Sequence, residues 1–437
     1  MKNLTIVIGI IMITVSCKLD IQQESRIVTS DIDNFWEAYD RITATPDSAE
    51  QYQLLQELYL DKGSAGLEGI RWARRYTPQD YINAISDYPL YWQSVREKTM
   101  QSKELASQIE LGLEQLRSVY PELRPGKVYF EIGVFRTPGT IVEDMVLIGA
   151  EMALGDETVN TSELPESMNY VKNYLKTNPA ENIVFLNIHE FIHTQQQPHD
   201  YVLLYRTINE GIAEWVAEKV SGVASQSPAI SFGETNNDRI RAKFEKQLFG
   251  GEAAVHDWFF NSDDNEFGMM DLGYYVGYAI CDRYYQQASD KGQAIIDMID
   301  LDYSDLNAVA AYVDASGYFS KPVMELKSDF EANIPEVVDI RQFENGSKRV
   351  DPETKLITIE FSMAMNPNAR GFEFGPLGED HVLYVQNYFG FSEDRKSVSF
   401  EVKLEAGKRY QLELSDKFAS ENGASIKPYL IDIETSE

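Results

Sequence analysis

The sequence is poor in residues that would cross-link the chain or carry positive charge. It has two cysteines among 437 residues, so a set of internal disulfides is excluded and stability must come from the apolar core. Its 39 basic side chains stand against 70 acidic ones, which gives a net charge of -31. Such a surface repels phosphate backbones and bare anionic lipid, so nucleic acid is not an expected partner. Histidine is also scarce, with five in the whole chain.

Hydrophobic residues, by contrast, make up 43% of the chain, enough for a large core and for two or three domains. The apolar run from Leu4 to Val15 is too short to span a bilayer comfortably, and its flanks are typical of a secretory signal in residues 1–16. The following stretch TVSC resembles a bacterial lipoprotein cleavage box, with Thr14 where leucine is commonest. The resemblance implies cleavage before Cys17, acylation of that cysteine and lipid anchoring in the bacterial cell envelope. An ordinary signal peptide is the alternative.

The hydrophobic pattern divides the remaining chain into a linker at 17–30, a first domain at 31–333 and a second at 334–437. Apolar residues at three- and four-residue spacing predict helices between 31 and 123, and again at 178–197, 206–221 and 272–288. KVYFEIGVF (127–135) alternates instead, and MVLIGA (145–150) follows the turn residues Pro138 and Gly139, which predicts a short sheet. The expected class of the first domain is α+β and mainly helical.

The second domain has short strands at regular spacing with Gly and Asn-Gly turns, which predicts an all-β sandwich. DPETKLITIEFSMAMNP and the later LEAGKRYQLEL resemble the bacterial immunoglobulin-like domain appended to surface proteins. That resemblance implies spacing or adhesion rather than chemistry.

The stretch NIVFLNIHEFIHTQQQP (182–198) carries two of the five histidines. Asn178 as N-cap and Pro179 as first helical residue predict a helix start, and the helix is expected to run until Pro198. His189 and His193 are four residues apart, so their imidazoles rise from one face and can bind the same zinc ion. The alternative is a buried helix whose histidines make ordinary hydrogen bonds.

Glu190 lies about 100° around this helix from His189, so it cannot easily share the ion with both histidines. It can reach a water molecule on the ion and act as its general base. Zinc lowers the pKa of that water towards about 7, and the carboxylate takes the proton as the water attacks a carbonyl group.

The next predicted helix, TINEGIAEWVAEKVSG (207–222), supplies the missing third ligand. Glu210 completes a set of two histidines and one glutamate, and Glu214, one turn later, can accept the free ring N–H of a ligand histidine. Two alternatives stay open. Thr207 and Glu210 can instead form a capping box, and Glu214 can be the ligand, since spacing alone does not separate neighbours on one helix face.

HEFIH followed by NEGIAE resembles the gluzincin class of zinc metallopeptidases, which share HExxH and a later glutamate ligand. The resemblance implies zinc ligation by His189, His193 and Glu210, general-base catalysis by Glu190 and a supporting role for Glu214. The interval from the second histidine to the glutamate is close to those of the well-known branches but not identical. The chain resembles more closely, over roughly 30–320, the predicted HExxH proteases among bacterial lipoproteins, including gliding-motility-associated ones.

Two further segments bear on such a site. Gluzincins place a sheet before the zinc helix whose edge strand pairs with extended substrate, and residues 127–150 are the candidate here, although a simple core sheet is the alternative. DLGYYVGYAICDRYYQQ (271–287) has Gly273 and Gly277 four apart, which permits close approach of another helix. A tyrosine hydroxyl from this helix, Tyr275 or Tyr278, is the candidate to stabilise an oxyanion. His199 and His256 are weaker candidates for chemistry.

The sequence thus supports two functions. The first is a membrane-anchored zinc peptidase that hydrolyses peptide bonds in peptide or protein substrates. The second is a non-catalytic envelope lipoprotein that serves as a scaffold or as a glycan- or protein-binding module. Intact Glu190 favours the first, because a scaffold needs no base.

Overall fold

A computed structural model describes residues 25–260 and 265–437 of the chain. The predicted signal peptide and the predicted acylation site, Cys17, lie outside these residues. The first part of the chain, up to Glu331, is mainly helical and the last part is all-β. None of the described helices is long and apolar enough to cross a membrane.

Sixteen α-helices are present within the described residues. They are α1 Ser30–Thr43, α2 Ser48–Leu55, α3 Ala65–Arg74, α4 Pro78–Asp87, α5 Pro89–Met100, α6 Ser102–Val119, α7 Ala150–Ala153, α8 Asn169–Leu175, α9 Ile183–His193, α10 Leu203–Ser221, α11 Pro228–Phe244, α12 Glu252–Phe259, α13 Leu272–Gln287, α14 Lys291–Ile299, α15 Leu306–Ser316 and α16 Val323–Glu331. A π-helical turn, Gln56–Leu60, extends α2.

A four-stranded sheet lies within the helical part. Its strands are β1 Ile27–Val28, β2 Lys127–Glu131, β3 Thr140–Val142 and β4 Met145–Gly149, in the order β1-β2-β4-β3. The first three in this order run parallel, and β3 pairs antiparallel with β4 as an edge strand. The sheet expected before the histidine helix is therefore present, and β3 and β4 both contact α9.

Strand β2 ends at Glu131, four residues earlier than the pattern of 127–135 predicts. The cause is a buried carboxylate: Glu151 accepts hydrogen bonds from the amides of Gly133 and Phe135, each at 3.0 Å. These amides are therefore not available to a neighbouring strand. Burial raises the pKa of Glu151 to about 7, although the amides act to lower it.

Helix α10 is buried along most of its length between α9 and α13. It crosses α13 where Gly211 faces Gly277, and a Cβ atom added to Gly277 would lie 2.0 Å from the Thr207 carbonyl oxygen and 2.8 Å from the Gly211 Cα. Gly273 packs likewise against the ring of Phe259. The close helix approach predicted from the two glycines of α13 is confirmed.

The residues from 337 onwards form two sheets with one shared core. One sheet has the order β5-β6-β9-β8 and the other β11-β10-β7, and side chains of both lie in the same apolar cluster. The strands are β5 Val337–Ile340, β6 Leu356–Phe361, β7 Phe372–Glu373, β8 Asn387–Phe391, β9 Ser397–Glu401, β10 Arg409–Leu414 and β11 Tyr429–Glu434. Phe372 of β7 meets Phe400 of β9 edge to face, with ring centroids 5.4 Å apart.

Two predicted helix starts are wrong. Asn178 has a left-handed conformation (φ 51°), and its side chain accepts a hydrogen bond from the Glu157 amide instead of capping. A 3₁₀ turn, Pro179–Asn182, precedes α9, which ends at His193 rather than at Pro198. The second helix begins at Leu203, so Thr207 lies inside it and the capping-box alternative is excluded. Its predicted C-cap, Gly222 (φ 69°), is confirmed.

We expect Gly277→Ala to destabilise the protein by about 3 kcal/mol or more, because the added methyl group has no room between α13 and the backbone of α10. Gly292→Ala in α14 is the matched control. The added Cβ atom would meet no atom closer than 3.5 Å. The substitution should therefore not destabilise the protein, and it can raise the free energy of unfolding by up to about 1 kcal/mol. Denaturant unfolding of both variants tests this, and equal stabilities would contradict the tight crossing.

Glu131 gives a second prediction, because both of its carboxylate oxygens are buried without a hydrogen bond among the described residues. Burial, with the charges of Asp31 and Glu151, raises its pKa well above the ordinary value. When a carboxyl group has a higher pKa in the folded protein than in the unfolded chain, the free energy of unfolding falls as pH rises above the pKa of the unfolded chain. The loss is at most about 1.4 kcal/mol per pH unit. Glu131→Gln should therefore gain stability relative to wild type between pH 5 and pH 8. Exposed Glu157→Gln is the control, and parallel pH profiles for wild type and Glu131→Gln would refute the account.

Candidate metal centre

Helices α9 and α10 bring together three side chains that the sequence predicts as ligands. The Nε2 atoms of His189 and His193 are 3.1 Å apart. The Oε2 atom of Glu210 lies 3.4 Å from the first and 3.3 Å from the second. The histidines share a face because they are one turn apart on α9, and Glu210 faces them because α10 packs directly on that helix.

The three ligand atoms fit one zinc-type ion. An ion bonded tetrahedrally at about 2.0–2.1 Å would hold its ligand atoms about 3.3 Å apart, which matches all three separations. Glu210 Oε2 is buried and makes no hydrogen bond within the described residues, so it is left facing the two imidazoles. Among the described residues these three form the cluster of histidine and acid side chains with the spacing for a metal ion.

Electrostatics favour positive charge at this position. Burial acts to lower the pKa of His189, but Glu210 and Glu214 outweigh it and raise the pKa to about 10. Burial acts to raise the pKa of Glu210, but the charges of His193 and Arg206 lower it well below its ordinary value. These shifts favour a proton on His189 beside the carboxylates of Glu210 and Glu214 when no ion is bound.

Glu214 orients the first histidine, as the sequence predicts. Its Oε2 atom lies 2.9 Å from Nδ1 of His189, so it occupies the ring nitrogen opposite the proposed ligand atom. The other oxygen of Glu214 accepts a hydrogen bond from the hydroxyl of Ser225, in the loop after α10. Because Glu214 lies at Nδ1, it is Glu210 that groups with the two Nε2 atoms.

Gln196 does the same for the second histidine, and the sequence analysis misses it. Its Oε1 atom is 2.7 Å from Nδ1 of His193. Asn209 makes two hydrogen bonds to the side-chain amide of Gln196. Its own side-chain nitrogen donates to Oε1 at 2.8 Å, and its backbone carbonyl oxygen accepts from Nε2 at 2.9 Å. The sequence carries no local signal for it, because Gln196 is the middle one of three successive glutamines beyond the end of α9.

Arg206 is a second residue that sequence reasoning misses. Its guanidinium binds Oε1 of Glu210 at 2.5 Å, one turn earlier on α10. One carboxylate oxygen is thus occupied by the arginine, and the other is left for the histidine pair. The Nε atom of Arg206 is buried without a hydrogen bond among the described residues, and the guanidinium lies 5.9 Å from the ring centroid of Phe259.

Glu190 lies beside the cluster but outside it. Its carboxylate forms no hydrogen bond or ion pair with the described residues, and it sits over Gly139, next to edge strand β3. A Cβ atom at Gly139 would come within 2.9 Å of Glu190 Oε1, so only glycine leaves the carboxylate in this position. The carboxylate of Glu190 thus lies against the residue that precedes edge strand β3.

The structure does not bring the two proposed tyrosines to the histidines. The hydroxyl of Tyr275 donates to Asn237 at 3.1 Å, and that of Tyr278 donates to Glu218 at 2.9 Å. Tyr274 is the tyrosine at the site, with its ring centroid 6.3 Å from that of His189. Tyr275 is the next residue and is turned away from Tyr274 by about 100°, whereas Tyr278 lies one turn further along α13 and reaches Glu218 instead. The pKa of Tyr274 is raised well above its ordinary value, mainly by burial and to a smaller extent by the negative charge of Glu210.

The two other candidate histidines lie elsewhere. The Nδ1 atom of His199 is 2.7 Å from the carbonyl oxygen of Asp200, and burial lowers the pKa of its ring. His256 lies exposed on α12 beside Phe260. Neither joins the histidine pair of α9.

Comparison with known proteins identifies one family. The model of the lipoprotein family described as gliding motility protein GldB matches residues 17–312, more than half of the chain. No curated protein matches the chain.

Among solved structures, the crystal structure of the S-layer protein rSbsC(31-844) is 11% identical, with a TM-score of 0.19, and the match covers 76% of this chain and 46% of that one. Domains 1–6 of surface layer protein SbsC match at 11% identity and a TM-score of 0.19, over 93% of this chain and 45% of that one. The chain thus spans less than half of the length of either protein. At these scores the likeness supports no inference about fold or function.

The orientation of His193 can be tested without assuming any reaction. We expect Gln196→Ala to weaken the binding of added zinc about 10- to 100-fold, because the imidazole loses the partner that fixes its ring. Exposed Gln197 is the adjacent control for the same substitution. Competition with a chelator gives both affinities, and equal values for Gln196→Ala and Gln197→Ala would rule out the orienting role.

Proposed function

Since the chain belongs to the gliding motility protein GldB family of lipoproteins, we propose that it acts in the cell envelope, anchored through Cys17, and that its helical part holds a zinc ion. Membership of a lipoprotein family supports the first part of this proposal, an envelope-associated lipoprotein. The family match begins at residue 17, where the TVSC box predicts the mature protein to start.

The zinc proposal rests on one observation. Glu210 Oε2 is buried, has no hydrogen bond and faces the Nε2 atoms of His189 and His193 at 3.4 and 3.3 Å. Such a group costs free energy unless a cation or proton meets it. A zinc ion at this point would connect α9 to α10 and so stabilise the centre of the helical part.

The family match supports the non-catalytic role better than it supports a peptidase, because it names gliding motility and no reaction. In that role the metal is structural, and the helical part carries the sandwich as a scaffold or binding module. We also propose that the sandwich is immunoglobulin-like. Its support is the pair of antiparallel sheets with one core, together with the two sequence stretches that resemble such domains.

Peptide hydrolysis is a second candidate function, and the position of Glu190 favours it. When bound, zinc supplies a Lewis acid for a carbonyl group and makes a water molecule more acidic. In this function Glu190, which lies against Gly139, would take a proton from the attacking water, and Tyr274, whose ring lies near that of His189, would replace Tyr275 and Tyr278 as the donor to an oxyanion. The side of β3 away from β4 pairs with no strand among the described residues, and the backbone of an extended peptide could pair there. These features also support the likeness to gluzincins.

Elemental analysis of the purified full chain tests whether the helical part binds zinc. We expect about one zinc per chain in wild type and in Glu190→Gln, and loss of zinc in His193→Ala, because only the histidine is a ligand. A chelator should lower the melting temperature of the first two and leave the third unchanged. A wild-type protein that stays metal-free after zinc is supplied would disprove the metal site.

Hydrolysis is tested on the same zinc-loaded proteins with a peptide library. Cleavage by wild type that falls at least about 100-fold in Glu190→Gln, with zinc retained, would support the peptidase. Absence of cleavage by zinc-loaded wild type would support the non-catalytic role.

A further inference from the structure

A cavity lies between α12 and the turns of the sandwich, and none of the three proposed metal ligands lines it. Its volume is about 710 Å³, within the usual range of ligand sites, and sites of this kind occur preferentially between domains. The helical wall consists of the start of α12, and the opposite wall consists of residues 366–370 and 416–425.

Contacts beside the cavity fix its two walls relative to each other. The side chain of Gln247 donates to the carbonyl oxygen of Glu421 at 3.1 Å and accepts from the indole of Trp258 at 2.8 Å. Ala254 of α12 packs on the backbone of Gly423, where an added Cβ atom would lie 2.7 Å from its methyl group. The cavity is therefore preformed and requires no domain movement.

The charges of the cavity differ between its walls. The helical wall presents Glu252 and Asp257, and the sandwich wall presents Arg370 and Lys417, next to the acid Asp416. None of these five side chains forms an ion pair within the part of the chain that the structure describes. Arg370 stacks over the ring of Tyr388, with its guanidinium carbon 4.6 Å from the centroid, which holds its charged group in place. Unpaired charges of both signs suit a ligand that itself carries both.

Neutral groups of the cavity suit a polypeptide backbone. Asn366 and Asn368 line the sandwich wall, and an amide side chain both donates and accepts, as a peptide bond does. Tyr201 adds an aromatic ring that is 50% exposed. Tyr201 belongs to the loop that also carries Gln196.

We propose that this cavity binds an extended polypeptide segment that contains both acidic and basic side chains. The basic side chains pair with Glu252 and Asp257, and the acidic ones pair with Arg370 and Lys417. This site is separate from the metal ligands, and the proposal does not depend on zinc or on hydrolysis.

Fluorescence anisotropy of the full chain in detergent, with a labelled decapeptide of alternating lysine and glutamate, tests the proposal. The Arg370→Ala/Lys417→Ala double variant should bind this peptide about tenfold more weakly than wild type. The matched control is Lys348→Ala/Arg349→Ala, which also removes one lysine and one arginine, but from exposed positions outside the cavity. It should bind like wild type, and a decapeptide of alternating serine and glycine should not bind.

Equal weakening in both double variants would overturn the proposal, because it would show general charge attraction rather than a site. Absence of binding of the charged peptide to wild type would overturn it as well. Displacement of the peptide by the neutral glycan chitohexaose, with affinity lost in the cavity variant, would reassign the cavity to carbohydrate. Zinc content measured on the same samples keeps this result separate from the metal proposal, because the cavity variants retain all three proposed ligands.

Discussion

The contact of α10 with α13 at Gly211 and Gly277 determines where the buried carboxylates of α10, Glu210 and Glu214, lie. With no side chain between the two backbones, α10 lies close against α13, and another face of α10 packs on α9. Glu210 and Glu214 then meet the histidines of α9, and the ring of Tyr274 reaches the same histidine pair. A larger residue at the crossing would move the carboxylates by distances comparable with a metal–ligand bond.

Burial of acidic groups recurs through the helical part of this acidic chain. Near the metal centre, the carboxylates are balanced by two imidazoles and by Arg206. Beneath the small sheet, Glu151 is balanced by the amides of the loop that leads to β3, while Glu131 has no such partner. The first arrangement has the spacing for a metal ion, and the second shapes the backbone. The same chemical group therefore has different effects, depending on whether donors or positive charges surround it.

The sequence predicts those parts of the site that depend on position along a single helix. His189, Glu190 and His193 follow from helical periodicity, and Glu210 and Glu214 follow from the next helix. The sequence does not predict what depends on contacts between segments. Gln196 lies in a run of three glutamines, and only the position of Asn209 on α10 distinguishes it from its neighbours. Strand β2 ends early because of Glu151, which is twenty residues beyond the strand end and gives no local signal.

The loop from Thr194 to Val202 contacts two sites at once. At one end Gln196 holds a histidine of the metal centre, and at the other Tyr201 lines the cavity against the sandwich. A segment shared in this way subjects the two sites to thermodynamic reciprocity. If zinc changes the affinity of the cavity for its ligand by some factor, the ligand must change the affinity for zinc by the same factor. The loop would then act as an allosteric connection inside the folded chain, whether or not the metal performs chemistry.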